Sequence, residues 1–123
     1  MKKVLLVTFS DNADHQDITF GLFESLYQAK RSDCSVWVMG IDSPKVSVQV
    51  TPHTHLVDCP KNPGIEKKTF DLKTLKSIIR LINKENFDII FFEYLHVWNL
   101  AIMKFCHKKT KIYQMIHDFI TPA

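Results

Sequence analysis

The sequence predicts an α/β domain, a three-layer sandwich built on a mostly parallel sheet. Two observations lead there. Several short segments, "KVLLVTF", "CSVWVM" and "FDIIFFE", are apolar throughout and rich in β-branched or aromatic residues. Strands covered on both faces read this way, and such strands belong to parallel sheets. Between them lie stretches whose apolar residues recur at helical spacing, so strands and helices alternate along the chain.

The elements follow in order. Lys3 to Phe9 is the first strand, and "SDNADHQD" after it reads as a polar loop. Ile18 to Lys30 carries Ile18, Leu22 and Leu26, with Phe23 and Tyr27, on one helical face, and Asp17 is placed to cap it. Cys34 to Met39 is the second strand, closed by Gly40. "KVSVQV" and "THLVDC" both have strand character, punctuated by Pro52, Pro60 and Pro63. Asp71 to Lys84 is the clearest helix: Leu72, Leu75, Ile79 and Ile82 form an apolar face, and Lys73, Lys76, Arg80 and Lys84 line another. Phe87 to Glu93 is a further buried strand, Trp98 to Cys106 a helix, and "KIYQMI" the last strand.

Composition narrows the function classes. The 123 residues are 46% hydrophobic and 24% charged, the profile of one ordinary globular domain with its own core. A net charge of +3 is too mild and too dispersed to indicate a nucleic-acid binder. Three cysteines without CxxC spacing argue against a disulfide framework and fit a reducing cytoplasm. "MKKVLLVTFSDN" has lysines before an apolar run but no small-residue cleavage site, so it reads as a strand and not a signal peptide. No apolar run approaches the ~18 residues of a membrane span. The basic helix face reads as solvated, with peripheral contact to an anionic membrane as the alternative.

Parallel sheets bind ligands outside the carboxyl ends of their strands. Those ends supply Ser10 to Asp17, Glu93 to His96, and His117 with Asp118. With only Gly21, Gly40 and Gly64 in the chain, the glycine turn that admits a pyrophosphate is missing, which excludes a dinucleotide or P-loop site. The loop holding Asp11, Asp14, His15 and Asp17 has two readings, a solvated turn with a helix cap or one edge of a site. Glu93 is either a cleft-lining carboxylate or a surface cap. His117 and Asp118 stand where an imidazole can donate to a phosphate or sugar hydroxyl and a carboxylate can orient one. No cofactor is expected. His53, His55 and Cys59, and the Cys106-His107 pair, lack the four convergent ligands of a structural zinc site, so no metal is expected either.

The succession "KVLLVTFS…GLFESLYQAK…CSVWVMG…FDIIFFEYL…KIYQMIHDFITP" resembles the N-terminal, Rossmann-like domain of GT-B glycosyltransferases of the group 1, or family 4, type. Asp88, Ile89 and Ile90 match that family's Asp-hydrophobic-hydrophobic strand, and His117 with Asp118 matches its later strand ending in His-Gly or His-Asp. The resemblance spans nearly the whole chain through short motifs. It implies the acceptor-binding half of a two-domain cytoplasmic enzyme of polysaccharide biosynthesis, inactive without a second domain that binds the nucleotide-sugar donor. It implies a glycan or lipid-linked acceptor bordered by Ser10, Asp11, His15, Glu93 and Tyr94. His117 and Asp118 would be the catalytic residues facing the donor. The chain departs from the pattern in three places. "SDNADHQD" replaces a Gly-Gly pair after the first strand, Glu93 stands where many members have histidine, and the donor domain's paired-glutamate motif is missing. A receiver-like signalling module or a non-catalytic binding module is the alternative.

Overall fold

The computed structural model of the protein describes residues 1–116 of the 123-residue chain. Its elements run β1 (Lys2–Thr8), α1 (Ala13–Ala29), β2 (Cys34–Ile41), β3 (Thr54–Val57), a 3-10 turn (Lys67–Phe70), α2 (Leu72–Glu85), β4 (Ile89–Phe92), α3 (Val97–Phe105) and β5 (Lys111–Gln114). The five strands form one sheet in the order β3-β2-β1-β4-β5, and every pair is parallel. This is a Rossmann-like α/β sandwich. Its strand order is the 3-2-1-4-5 of that class, and not the 2-1-3-4-5 of flavodoxin-like and receiver domains.

Handedness explains the layers. The β1–α1–β2 crossover steps one way along the sheet, and β4–α3–β5 steps the other. Right-handed crossovers in opposite directions put their helices on opposite faces. Accordingly Phe20 and Phe23 of α1 pack on Leu6, Val36 and Val38. Ile78 and Ile82 of α2 and Ile102 of α3 pack on Leu5, Val7, Ile90 and Phe92 of the other face. The strands alternate between the two clusters with the period of two that a pleated strand imposes. No helix among the described residues is long and apolar enough to cross a membrane.

Several boundaries differ from those predicted, each for a local reason. Helix α1 starts at Ala13, not Ile18, because Asn12 and not Asp17 is its cap: Asn12 is extended and its side chain accepts from the Asp14 N–H at 2.8 Å. Most of the expected polar loop, from Ala13 onward, is therefore helix. Its inward face also shifts, since Gln16, Thr19, Phe20 and Phe23 are buried while Ile18 and Leu22 are exposed. Gln16 enters the core because both ends of its amide are met: Nε2 donates to the Ser10 carbonyl at 2.9 Å, and Oε1 accepts from the Lys45 N–H at 2.7 Å.

Gly40 lies within β2 and does not close it; a Cβ there would come 2.6 Å from the Phe20 ring, so the glycine lets α1 settle on the sheet. "KVSVQV" forms no strand, yet Val46 and Val48 still pack against the α1-side core. On α2 the buried residues are Leu75, Ile78 and Ile82, while Leu72 is exposed just beyond the Asp71 cap. Strand β4 covers only Ile89–Phe92, leaving Phe87 in the core before it and Glu93 beyond its tip.

Candidate functional site

The order of the sheet reverses between β1 and β4, and the connections leaving these two strands diverge. Open α/β sheets bind ligands in the crevice that opens at such a switch point. Alternation decides what faces it. Leu6 and Phe91 belong to the α1-side cluster, so Thr8 and Glu93, two residues further along, point to the same side. The Glu93 N–H continues the ladder by donating to the Val7 carbonyl at 2.9 Å, which fixes where its carboxylate emerges. The first turn of α1 crosses above it and supplies His15.

These residues form a bonded cluster. Glu93 is only 1% exposed. Its Oε2 accepts from the Thr8 hydroxyl at 3.0 Å, and its Oε1 lies 2.6 Å from His15 Nδ1. A carboxylate has only acceptors to offer there, so the imidazole donates through Nδ1–H, and Nε2 becomes the ring's basic nitrogen. A buried carboxylate is costly unless hydrogen-bonded in this way. Tyr94 packs its ring against His15 at a centroid distance of 5.0 Å. Burial first, and the Glu93 charge second, push the Tyr94 hydroxyl's pKa up, so it stays a neutral donor and acceptor.

Beside the pair lies an open cavity of about 740 Å³, to which His15, Tyr94, His96, Asn99 and Gln114 contribute polar groups. Leu95, Val97, Leu100 and Met103 supply an apolar wall. Helix α3 begins at its floor. His96 caps it by accepting the Trp98 N–H at Nδ1 (3.0 Å), and its Nε2 donates to the Pro60 carbonyl at 2.8 Å. With both nitrogens committed, His96 is a neutral structural residue, and burial pushes its pKa down against a smaller upward pull from the Pro60 carbonyl.

Of the residues expected at the site, His15, Glu93 and Tyr94 meet. Ser10 and Asp11 do not join them. Ser10 is buried, its Oγ accepting the Asn12 N–H at 3.0 Å and its carbonyl accepting from Gln16, and it shapes the turn into α1. Asp11 lies 3.4 Å from the Lys45 ammonium, away from the cavity lining. His117 and Asp118 lie outside the described residues. His96 falls in the strand-end stretch expected at the site, while Asn99 and Gln114 were not anticipated, although Asn99 stands out in "VWNLAIM" as a polar residue inside an apolar helical run. His53 and His55 flank Trp37 as a stack, with ring centroids 3.9 and 5.7 Å from it, an aromatic packing arrangement at the sheet edge.

No known family model matches the sequence, and a search of curated proteins finds no match.

Proposed function

We propose that this domain is the acceptor-side half of a glycosyltransferase, moving a sugar from a nucleotide-sugar to a glycan or lipid-linked hydroxyl. The observation that carries the reading is the 2.6 Å contact between His15 and the buried Glu93 at the switch point of the sheet. A carboxylate that holds an imidazole in its Nδ1–H form makes Nε2 a base suited to a hydroxyl proton. Thr8 locks the carboxylate and Tyr94 packs on the ring, so the base is oriented before substrate arrives. The acceptor hydroxyl approaches from the neighbouring cavity. Sugar–phosphate bond cleavage belongs to a donor carried by a second domain or chain, and His117 and Asp118 take the donor-facing role that the family resemblance gives them.

The test is the native gene product purified from its own cells, offered a panel of nucleotide-sugars and a lipid extract. Release of nucleoside diphosphate that depends on the extract, absent when this domain is assayed alone, is the expected result. Full transfer activity by the isolated domain, or none by the native product across the panel, would overturn the proposal.

A further inference from the structure

We infer that the outward face of the α2–α3 layer docks on an anionic membrane surface, its basic side chains on the lipid headgroups and Leu100 pressed between them. Helix α2 supplies a basic stripe. Lys73, Lys76, Arg80 and Lys84 recur every three or four residues opposite the buried Leu75, Ile78 and Ile82, so they point straight away from the sheet. At the helical rise the stripe is about 16 Å long. Helix α3 lies on the same face of the sheet, since both helices bury their apolar residues in one core. Their C-terminal ends are tied together: Asn83 Nδ2 donates to the Phe105 carbonyl at 3.1 Å, and His107 Nε2 donates to the Asn83 carbonyl at 3.1 Å. Leu100 and Lys104, one turn apart, stand opposite the buried Trp98 and Ile102 and so share the outward direction of the α2 stripe. The turn after α3 adds Lys108 and Lys109, both exposed.

Charge is segregated across the molecule. From 72 to 110 the only acids are Glu85, Asp88 and Glu93, and each is engaged away from this face. Glu85 pairs with Lys3 at 3.1 Å, Asp88 accepts the Lys3 N–H at 2.8 Å, and Glu93 is buried behind His15. Elsewhere on the surface Arg31 is paired with Asp33, Lys45 with Asp11 and Lys68 with Asp58. Among the described residues, no basic side chain of the α2–α3 face forms an ion pair. A chain whose net charge is only +3 therefore carries one concentrated positive face. Taken alone, the α2 stripe is the solvated side of a surface helix. The α3 cations and the lack of outward acids make it more than that, and the exposed apolar residues decide which polyanion it fits. Leu100 is 63% exposed, and Phe105, 58% exposed, has the Lys104 ammonium 5.6 Å from its ring. A nucleic-acid backbone gives a leucine nothing to pack on. A lipid surface takes apolar side chains between its headgroups and attracts basic ones together with them. Leu100 also lines the cavity beside His15, so docking sets the cavity's apolar wall against lipid.

Docking stands apart from the transferase reading and adds to it a route by which a lipid-linked acceptor reaches the cavity. The experiment is co-sedimentation of the full chain with phosphatidylcholine vesicles containing about one-third phosphatidylglycerol, beside vesicles of phosphatidylcholine alone. The protein should sediment with the anionic vesicles only, and raising the salt from about 0.1 M to about 1 M should release it. Each basic residue near such a surface strengthens partitioning by about fivefold, so Arg80→Gln combined with Lys84→Gln should weaken it by about 25-fold. Lys2→Gln combined with Lys30→Gln, at exposed positions on the α1 side, should change it by less than about twofold. Leu100→Ser should weaken it by at least about fivefold, as the lost burial of a leucine implies. Every substituted position is exposed, so urea midpoints should stay native. Equal binding to both kinds of vesicle, binding to neither, or an unmoved constant in the Arg80→Gln, Lys84→Gln variant would each overturn the inference. So would an equal loss in the Lys2→Gln, Lys30→Gln control. Tighter binding to a duplex oligonucleotide than to the anionic vesicles, unaffected by Leu100→Ser, would overturn it in favour of a nucleic-acid face. Vesicle binding by a native product that transfers no sugar would support docking and count against the transferase reading alone. Transfer by a native product that ignores the vesicles would do the reverse.

Discussion

Glu93→Gln tests the bonded pair most sharply, because it keeps the shape of the side chain and changes only what its atoms can do. Among the described residues the carboxylate meets the Thr8 hydroxyl at 3.0 Å and His15 Nδ1–H at 2.6 Å. The amide has one oxygen to offer. Thr8 draws that oxygen to its side, so the NH2 group faces His15, and the imidazole can keep a hydrogen bond only by moving its proton to Nε2. A charge-assisted bond of about 1.5–3 kcal/mol is replaced by a neutral one of about 0.5–1.5 kcal/mol. The net loss is therefore about 1–2 kcal/mol. With a urea slope of about 1–3 kcal/mol per M, the unfolding midpoint should drop by roughly 0.3–2 M. Long-range 1H–15N spectra of the His15 ring, recorded at alkaline pH, should show the proton on Nδ1 in wild type and on Nε2 in the variant. An Nδ1–H ring in both proteins with an unchanged midpoint would refute the reasoning.

Other outcomes follow from local geometry. Gly40→Ala sets a methyl group 2.6 Å from the Phe20 ring and should cost about 1–3 kcal/mol, read from urea unfolding; a neutral change would mean that α1 shifts freely on the sheet. Burial depresses the folded-state pKa of His96 and of His55, so each favours the native state fully above the ordinary value of 6.5, and that contribution is lost as pH falls from there through the depressed value. Unfolding midpoints should therefore fall between pH 7.5 and 5, by up to about 1.4 kcal/mol per pH unit for the buried His96 and by less for the half-buried His55, which solvent screens, and a flat profile would contradict the burial of His96. Burial pushes the Cys59 thiol up to about 12, so it should resist thiol reagents at pH 8 until the chain is unfolded, as peptide mass spectrometry would report.

The sheet was legible because strands covered on both faces leave unbroken apolar runs, and β1, β2 and β4 all do. The start of α1 was not, because its first turn buries Gln16 through two hydrogen bonds and presents no apolar residue to periodicity. The Asn12 cap was the signal that could have moved the boundary. His15 and Glu93 were each visible as polar residues near strand ends. Their meeting across 78 positions depends on the register that pairs Val7 with Phe92, which no local pattern encodes. Asn99 was legible as an anomaly, while the bonds of its amide depend on Tyr94 and Gln114 arriving from two other segments.

The most direct test of the central claim is the transfer rate of the native gene product carrying His15→Ala, measured beside wild type with saturating nucleotide-sugar. The expected result is a fall in kcat of about 10²–10⁴-fold, the usual contribution of a general base, in a protein that still folds but unfolds at a lower urea midpoint, because the buried Glu93 carboxylate loses its His15 partner. A folded His15→Ala protein that turns over at the wild-type rate would contradict it.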